Sequence, residues 1–225
     1  MLLKLDLHVH TTYSCDGHTM PEDLSRIVLK RGLDGVAVTD HNVLSRIHAE
    51  GIIVIPGIEI STSYGHLLAL NVSQPIKRGM SADETVEMIH GQSGLAVLPH
   101  PYDFLRSSLR PRRLLAKADA VETVNASSPF FALSKWFAER FADYANLPVT
   151  GGSDSHVPQT IGDAYTVIDA TSRSIDDVIE AIREGRTQAY GNPVSLVNRA
   201  RKLKLDIGGG RFKHSRRFPI DLNER

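Results

Sequence analysis

Hydrophobic residues along the chain fall into seven short runs with few polar interruptions. The runs cover residues 4–10, 35–39, 52–60, 67–72, 95–99, 120–124 and 147–150. Such runs are typical of strands buried on both faces, as in parallel sheets covered by helices. Because helical patterns separate most of the runs, the sequence predicts an α/β fold. Seven strands within about 150 residues favour a barrel over an open sheet.

Four helices are predicted between or after these strands. Thr19, Ser81 and Ser174 each precede an acidic residue by three positions, a pattern that caps helix N-termini. Aromatic residues at roughly helical spacing predict one further helix. The four predicted spans are about 20–31, 82–90, 132–145 and 175–184.

The connection between the third and fourth apolar runs is too short for a parallel pair. Only residues 61–65 separate the two runs, whereas a parallel crossover needs a dozen residues or more. The two strands are therefore predicted to form an antiparallel hairpin. Glu59 and His66 would then lie at the same end of the sheet.

Composition narrows the class of protein. The chain has 225 residues, of which 41% are hydrophobic and 23% charged, so a wholly disordered chain is excluded. No apolar run approaches the length of a membrane span, and the N-terminus shows no signal-peptide pattern. The single cysteine, Cys15, cannot form an internal disulfide. We expect a cytoplasmic globular protein without membrane contact.

Charge divides the chain unevenly, although its formal net charge is zero. Residues 196–225 hold nine Lys or Arg against three Asp or Glu, and the remaining 195 residues are acidic. Residues 1–195 are predicted to form the barrel, and residues 196–225 a basic, Gly-containing tail that is either flexible or draped on the barrel. An acidic body suits cations, and a basic tail suits nucleic acid or another polyanion.

Histidines and carboxylates follow the ends of six predicted segments. Residues that follow the carboxyl ends of parallel strands lie together at one rim of a barrel. The active sites of such barrels lie at that rim. The residues predicted to meet there are His8, His10, Asp16, His41, Glu59, His66, His100, Asp154 and His156. Converging carboxylates require positive charge, and imidazoles with carboxylates suit Zn, Mn or Fe. Nine donors exceed the need of one ion, so two or three divalent metal ions are predicted.

Five ordered motifs carry a resemblance to a known family. They are DLHVHTTYS at 6–14, VTDHN at 38–42, PGIEIS at 56–61, LPHP at 98–101 and GSDSH at 152–156. Together they resemble the polymerase and histidinol phosphatase (PHP) family over about residues 3–190. The resemblance implies a distorted (β/α)7 TIM-like barrel, with a metal site at the C-terminal rim of its strands, that hydrolyses phosphoesters.

The resemblance also implies three metal sites and several roles. The first site would contain His8, His10, Glu59 and Asp154; the second Glu59, His66 and His100; the third Asp16, His41 and His156. Catalytic roles fall to Glu59 as the bridging ligand, Asp154 and His156. Asp6 and Asp40 are expected to orient imidazoles through their second ring nitrogen. Glu122 and Asn125 resemble a further Glu-x-x-Asn feature of the family.

The expected activity is phosphatase action on nucleotide-like or small phosphomonoester substrates. A hydroxide held between two metal ions would attack the phosphorus. Arg106 and Arg110, with Arg112 and Arg113 nearby, are candidates for binding the substrate phosphate, although a solvated basic loop is an equally good interpretation.

Three alternatives stay open from the residues alone. The protein could be an exonuclease on RNA or DNA ends, with a nucleic-acid end as its partner instead of a small phosphorylated substrate. It could be a non-catalytic, metal-stabilised protein that binds nucleic acid through its basic tail. It could also hydrolyse C–N bonds as amidohydrolases do, because the metal chemistry is shared.

Overall fold

The computed structural model describes residues 1–103 and 118–208, and within them nine strands form one sheet in the order β7-β6-β5-β4-β3-β2-β1-β8-β9. The strands are β1 (Leu2–Val9), β2 (Gly35–Val38), β3 (Ile53–Thr62), β4 (Gly65–Leu70), β5 (Leu95–Leu98), β6 (Ala120–Asn125), β7 (Val149–Gly152), β8 (Ala164–Asp169) and β9 (Thr187–Gly191). The helices are α1 (Leu24–Lys30), α2 (Ala82–His90), α3 (Phe131–Ala145), α4 (Ile175–Arg183) and α5 (Leu196–Gly208). The predicted α/β class is confirmed.

The sheet curls into a nearly closed, barrel-like form because the segment after β7, at one end of the strand order, returns to β1. β8 pairs antiparallel with the first half of β1. Beyond β7, Ser155 forms a parallel bridge to Val9, and the N–H of His10 donates to the Ser155 carbonyl at 2.9 Å. β1 is therefore shared between β8 at one end and the segment after β7 at the other. The sequence pattern missed β8 and β9, so the number of strands exceeds the seven predicted.

The hairpin between β3 and β4 is antiparallel, as predicted. Ser61 pairs with His66 and Thr62 with Gly65, which leaves a turn of two residues, Ser63 and Tyr64. β4 is also antiparallel to β5, whereas β2–β3, β5–β6 and β6–β7 are parallel. The start of β4 consequently lies at the same rim as the carboxyl ends of the parallel strands.

The continuous apolar runs are buried on both faces, as their pattern requires. Every residue of β2 and β5 is buried. On one side of β1, Leu3 and Leu5 pack in a cluster with Val178 and Ile182 of α4. A fully buried Leu or Ile side chain contributes about 1.5–3 kcal/mol to folding, so this core fixes the strands that carry the polar rim.

Two of the three predicted helix caps are present. Ser81 accepts the N–H of Glu84 in a reciprocal capping box, and Ser174 accepts the N–H of Asp177. The Thr19 cap is wrong: a 3-10 turn at Pro21–Asp23 precedes α1, and the buried Thr19 hydroxyl has no hydrogen-bond partner.

The first part of the predicted basic tail is helical. α5 spans Leu196–Gly208, which favours the draped element over the flexible appendage for these residues. Residues 209–225 lie outside the described part of the chain, and the domain boundary at residue 195 stays a prediction. None of the helices in the described ranges is both long and apolar enough to cross a bilayer.

Candidate metal centre

The carboxylate of Glu59 lies at the centre of the rim, and one of its oxygens faces three imidazoles. Oε2 of Glu59 is 3.3 Å from Nε2 of His8, 3.2 Å from Nε2 of His10 and 3.1 Å from Nδ1 of His41. His8 and His10 meet there because alternate side chains of β1 share a face. His41 follows β2, the strand that lies between β1 and β3.

The other oxygen of Glu59 faces two further imidazoles. Oε1 is 2.7 Å from Nδ1 of His66 and 3.3 Å from Nε2 of His100. His66 arrives through the antiparallel hairpin, and His100 follows the end of β5. One buried carboxylate thus separates two groups of imidazole nitrogens.

Asp154 joins the first of these groups. Its Oδ1 lies 3.4 Å from Nε2 of His10 and 3.7 Å from Nε2 of His8. Asp154 and His100 both adopt the left-handed backbone conformation, with φ angles of 52° and 31°. For residues other than Gly this conformation is uncommon and costs about 1–3 kcal/mol, and it occurs preferentially at functional sites.

A second carboxylate, Asp16, faces the outer imidazoles. Its Oδ2 lies 3.0 Å from Nε2 of His156, and its Oδ1 lies 3.8 Å from Nε2 of His41. The Nδ1 atom of His156 lies 3.0 Å from the carbonyl oxygen of Asp154. Because a carbonyl can only accept, His156 donates from Nδ1, which leaves Nε2 directed towards Asp16, where it would bind a metal ion.

Glu122 orients the first histidine. Its Oε1 is 3.0 Å from Nδ1 of His8, so the imidazole donates there and directs Nε2 towards Glu59. The second oxygen of Glu122 accepts the backbone N–H of His100 at 3.0 Å and the side-chain amide of Asn125 at 2.9 Å. The sequence supplied Glu122 only as a family feature; the structure gives it this positioning contact.

Asp6 and Asp40 were predicted to orient imidazoles, but in the described residues they accept hydrogen bonds from backbone N–H and hydroxyl groups instead. Asp6 accepts the backbone N–H groups of His8 and Ser153, at 3.3 and 2.8 Å. Asp40 accepts the backbone N–H and the hydroxyl of Thr11, at 2.6 and 2.8 Å. Both carboxylates therefore fix the loops that carry the site, and burial raises the pKa of Asp6 to about 6.

The electrostatics of the cluster show an excess of negative charge. Burial alone lowers the pKa of His10, but the adjacent carboxylates of Asp154 and Glu59 outweigh it and raise this pKa to about 9. Burial raises the pKa of Glu59, yet the imidazoles around it outweigh that effect and hold its pKa well below the usual value. At His41 burial prevails and lowers the pKa to about 4. Glu59 thus stays ionised and attracts cations.

Divalent metal ions fit these donors. Two atoms that bind one tetrahedral ion at 2.0–2.1 Å lie about 3.4 Å apart, close to the separations of Glu59 and Asp154 from His10. Among residues 1–103 and 118–208, the buried Nε2 of His10 and Oδ1 of Asp16 find no hydrogen-bond partner, which is the state expected of metal ligands. Three triads have ligand atoms within 4.8 Å of one another: His8–His10–Glu59, His41–Glu59–His66 and His10–His41–His156.

The structure therefore brings all nine predicted residues to one rim, while their assignment to three separate ions stays a prediction. His41 departs from the predicted grouping, because its Nδ1 lies 3.1 Å from Oε2 of Glu59, whereas its Nε2 lies 3.8 Å from Oδ1 of Asp16. Arg106 and Arg110, together with Arg112 and Arg113, lie outside the described residues.

A cavity of about 540 Å³ opens above this rim. Its base is formed by metal-site residues, and one of its walls is helix α5. The α5 residues that line the cavity are Asn198, Arg199, Lys202, Leu203 and Asp206. Sequence reasoning missed these residues, because a basic helix far along the chain carries no local signal for a site built on strand ends.

Comparison with known proteins agrees with the motifs. The chain is 35% identical over 141 residues to an uncharacterized protein of Methanocaldococcus jannaschii, covering 55% of this chain and 82% of that protein. A two-domain protein of Bacteroides vulgatus, containing a predicted PHP-like metal-dependent phosphoesterase, superposes with a TM-score of 0.68 at 22% identity. Residues 133–187 match the family described as PHP-associated. The chain has the PHP-like fold and carries a PHP-associated region.

A second similar solved structure is a lesion-specific endonuclease from Pyrococcus furiosus, with a TM-score of 0.59 at 16% identity. The superpositions cover 85% and 84% of this chain. This chain spans only 65% and 58% of the lengths of the two structures. At these identities the likeness concerns the fold alone.

The contact of Glu122 with His8 gives a testable expectation for this site. Glu122→Gln keeps the size of the side chain but removes the charge that holds the proton on Nδ1 of His8. We expect the affinity for Mn²⁺ to fall by about tenfold or more, as for other partners of metal-binding histidines. Titration calorimetry on the metal-free protein measures this, and an unchanged affinity would contradict the positioning role.

Proposed function

We propose that this protein is a metal-dependent phosphoesterase that acts on small, nucleotide-like phosphomonoesters. The observation that carries the proposal is the Glu59 carboxylate, whose two oxygens face separate groups of imidazole nitrogens at the base of a cavity. A shared carboxylate of this kind suits a pair of divalent ions, the arrangement used for displacement at phosphorus.

The residues that would hold the metal ions are those gathered at the rim. The set comprises His8, His10, Asp16, His41, Glu59, His66, His100, Asp154 and His156. Two or three ions, of Mn, Zn or Fe, match the number and kind of donors. When bound, such ions supply a water of lowered pKa and neutralise the charge of the phosphoryl oxygens.

The chain itself supplies orientation and a restricted space. Glu122 accepts from Nδ1 of His8, and the Asp154 carbonyl accepts from Nδ1 of His156, so that both Nε2 atoms point into the site, where they would bind metal ions. His8, His10 and Glu59 are nearly or completely buried, which strengthens their electrostatic interactions.

The size of the cavity supports a substrate of nucleotide dimensions. Pockets for small ligands occupy about 300–1,000 Å³, and this one has a volume of about 540 Å³. A group of that size can place its phosphate at the metal rim and its remaining part against α5.

A nuclease acting on RNA or DNA ends is the second candidate. The fold shared with the endonuclease of Pyrococcus furiosus favours it, as does the basic character of residues 196–225. A nuclease differs from a phosphatase in product: it releases nucleotides, whereas a phosphatase releases inorganic phosphate.

One experiment tests the proposal and separates these candidates. Purified protein is analysed for metal, stripped with a chelator and reloaded with Mn²⁺, then assayed on thymidine 5′-monophosphate, a 5′-phosphorylated oligonucleotide and an amide substrate. We expect Mn²⁺-dependent release of inorganic phosphate from the mononucleotide. Shortening of the oligonucleotide would favour the nuclease, hydrolysis of the amide alone would favour C–N chemistry, and binding without any turnover would favour a non-catalytic role.

A further inference from the structure

Helix α5 is held across the mouth of the cavity by polar contacts. At its N-terminal end the guanidinium of Arg199 donates to the carbonyls of Ser127 and Ser128, both at 3.1 Å, and to the carbonyl of Val194 at 3.2 Å. Ser127 and Ser128 follow β6, whose Glu122 orients His8. This end of α5 is therefore tied to the loop beside the metal rim.

The other end of α5 is tied to the loop after β1. Oδ1 of Asp206 lies 3.0 Å from Nε2 of His18. The backbone N–H of His18 donates to the carbonyl of His156 at 2.8 Å. α5 thus spans the rim from the β6 side to the segment that carries Asp16.

Burial of apolar surface does not explain this placement. Leu196 and Ile207 are 84% and 74% exposed, and Val197 is also exposed. A helix that packed for stability would turn such residues inward. Of the five α5 residues that line the cavity, four are polar and one, Leu203, is apolar, which indicates that the polar ones serve the site.

Lys202 is a cation of α5 that lines the cavity and keeps donors for a ligand. Its side chain is 32% exposed, and one of its three donors reaches Oδ2 of Asp206 at 3.0 Å. The guanidinium of Arg199 is occupied by backbone carbonyls. The imidazoles of the cavity face Glu59 and the other carboxylates, as ligands for metal would.

We propose that Lys202 binds a phosphate oxygen of the substrate and that Asp206 competes for the same ammonium group. The proposal rests on the phosphoesterase function proposed above and assigns substrate recognition to a helix outside the nine predicted rim residues. Hydrogen bonds between charged groups contribute more to binding than neutral ones, and this pair is only partly screened by solvent.

Competition gives the two members of the pair opposite effects. Removing the charge of Lys202 weakens binding of the anion, whereas removing the charge of Asp206 frees the ammonium group and strengthens it. If the pair only stabilised α5, both substitutions would weaken binding together. The sign of the Asp206 effect therefore separates recognition from a structural role.

The test uses the full chain with four variants: Lys202→Met, Lys202→Arg, Asp206→Asn and, as the matched control, Lys204→Met on the exposed side of α5. KM and kcat are measured for thymidine 5′-monophosphate, and the Kd for inorganic phosphate is measured by calorimetry on the Mn²⁺-loaded protein. We expect Lys202→Met to raise KM and Kd about five- to tenfold with kcat changed less than twofold. Asp206→Asn should lower both about twofold or more, and Lys202→Arg should retain most of the affinity.

The two proposals can fail separately. If the wild-type protein hydrolyses the nucleotide but Lys202→Met leaves KM and Kd unchanged, the inference about Lys202 is wrong and the phosphoesterase function stands. Weakened binding in both the Lys202 and Asp206 variants overturns recognition in favour of a structural role. If no phosphate ester is hydrolysed, the phosphoesterase function fails, and the calorimetric comparison still decides whether Lys202 binds phosphate.

Discussion

Glu59→Gln is expected to reduce turnover of phosphate esters roughly a thousandfold or more while the barrel stays folded. The neutral amide offers one oxygen and one NH₂ group in place of two anionic oxygens. The NH₂ group then faces one of the two groups of imidazoles. Because this group is a hydrogen-bond donor, it cannot bind metal. The pair of sites built around the shared carboxylate is lost in a single step.

Metal content and activity are measured together for this variant. The expected result is a loss of at least one bound Mn²⁺ per chain alongside the loss of kcat, with an unchanged circular dichroism spectrum. Asp154→Asn should lower activity strongly as well, since Asp154 lies on the same side as His8 and His10. Glu87→Gln, on the exposed face of α2, serves as the control. Wild-type hydrolysis by Glu59→Gln would refute the bridging role.

The strands of the barrel could be predicted because burial on both faces requires apolar residues at successive positions. β2 and β5 are buried at every position, so neither shows polar alternation. The same pattern fails for β9, whose residues are all intermediate or exposed, and for β8, which alternates and ends exposed. These two strands pair at the side of β1, where one face is open to solvent, and their pattern does not stand out from that of a loop.

The residues of the rim could be predicted because they lie at the ends of strands. His8 and His10 follow from the two-residue period of a strand, and His66 follows from the short connection that forces a hairpin. Which carboxylate contacts which imidazole could not be predicted. Asp6 precedes the histidine motif directly, yet Glu122, 114 residues from His8, makes the orienting contact.

Helix α5 shows a different limit of sequence reasoning. Its residues gave a charge excess and no apolar face that could be assigned to the core. Its position depends on hydrogen bonds from Arg199 to carbonyls more than 70 residues away along the chain. Contacts of that kind involve backbone atoms that every residue possesses, so no pattern of residues predicts them.

Gly152→Ala is expected to damage both the stability and the metal site. A Cβ atom at this position would lie 2.4 Å from Cβ of His8 and 2.9 Å from its backbone nitrogen, and 2.7 Å from Oε1 of Glu122. The first two atoms belong to β1 near its backbone and cannot move independently of the strand. The contact between His8 and Glu122, which sets the tautomer of the first ligand, passes directly beside this glycine.

Overpacking of this kind costs about 3 kcal/mol, because the strands must separate to relieve it. For a chain of this length the midpoint of thermal unfolding should fall by about 6–12 °C. Separation of β1 from β7 also moves His8 relative to Glu59, so Mn²⁺-dependent activity should fall at least about a hundredfold even below the unfolding transition. Gly91→Ala is the matched control, because Gly91 has a helical φ of −60° and its nearest neighbour would lie at 3.3 Å. Thermal unfolding and kcat/KM are compared for the two variants: a Gly152→Ala protein as stable and active as Gly91→Ala would show that β7 and His8 are not packed as the structure has them.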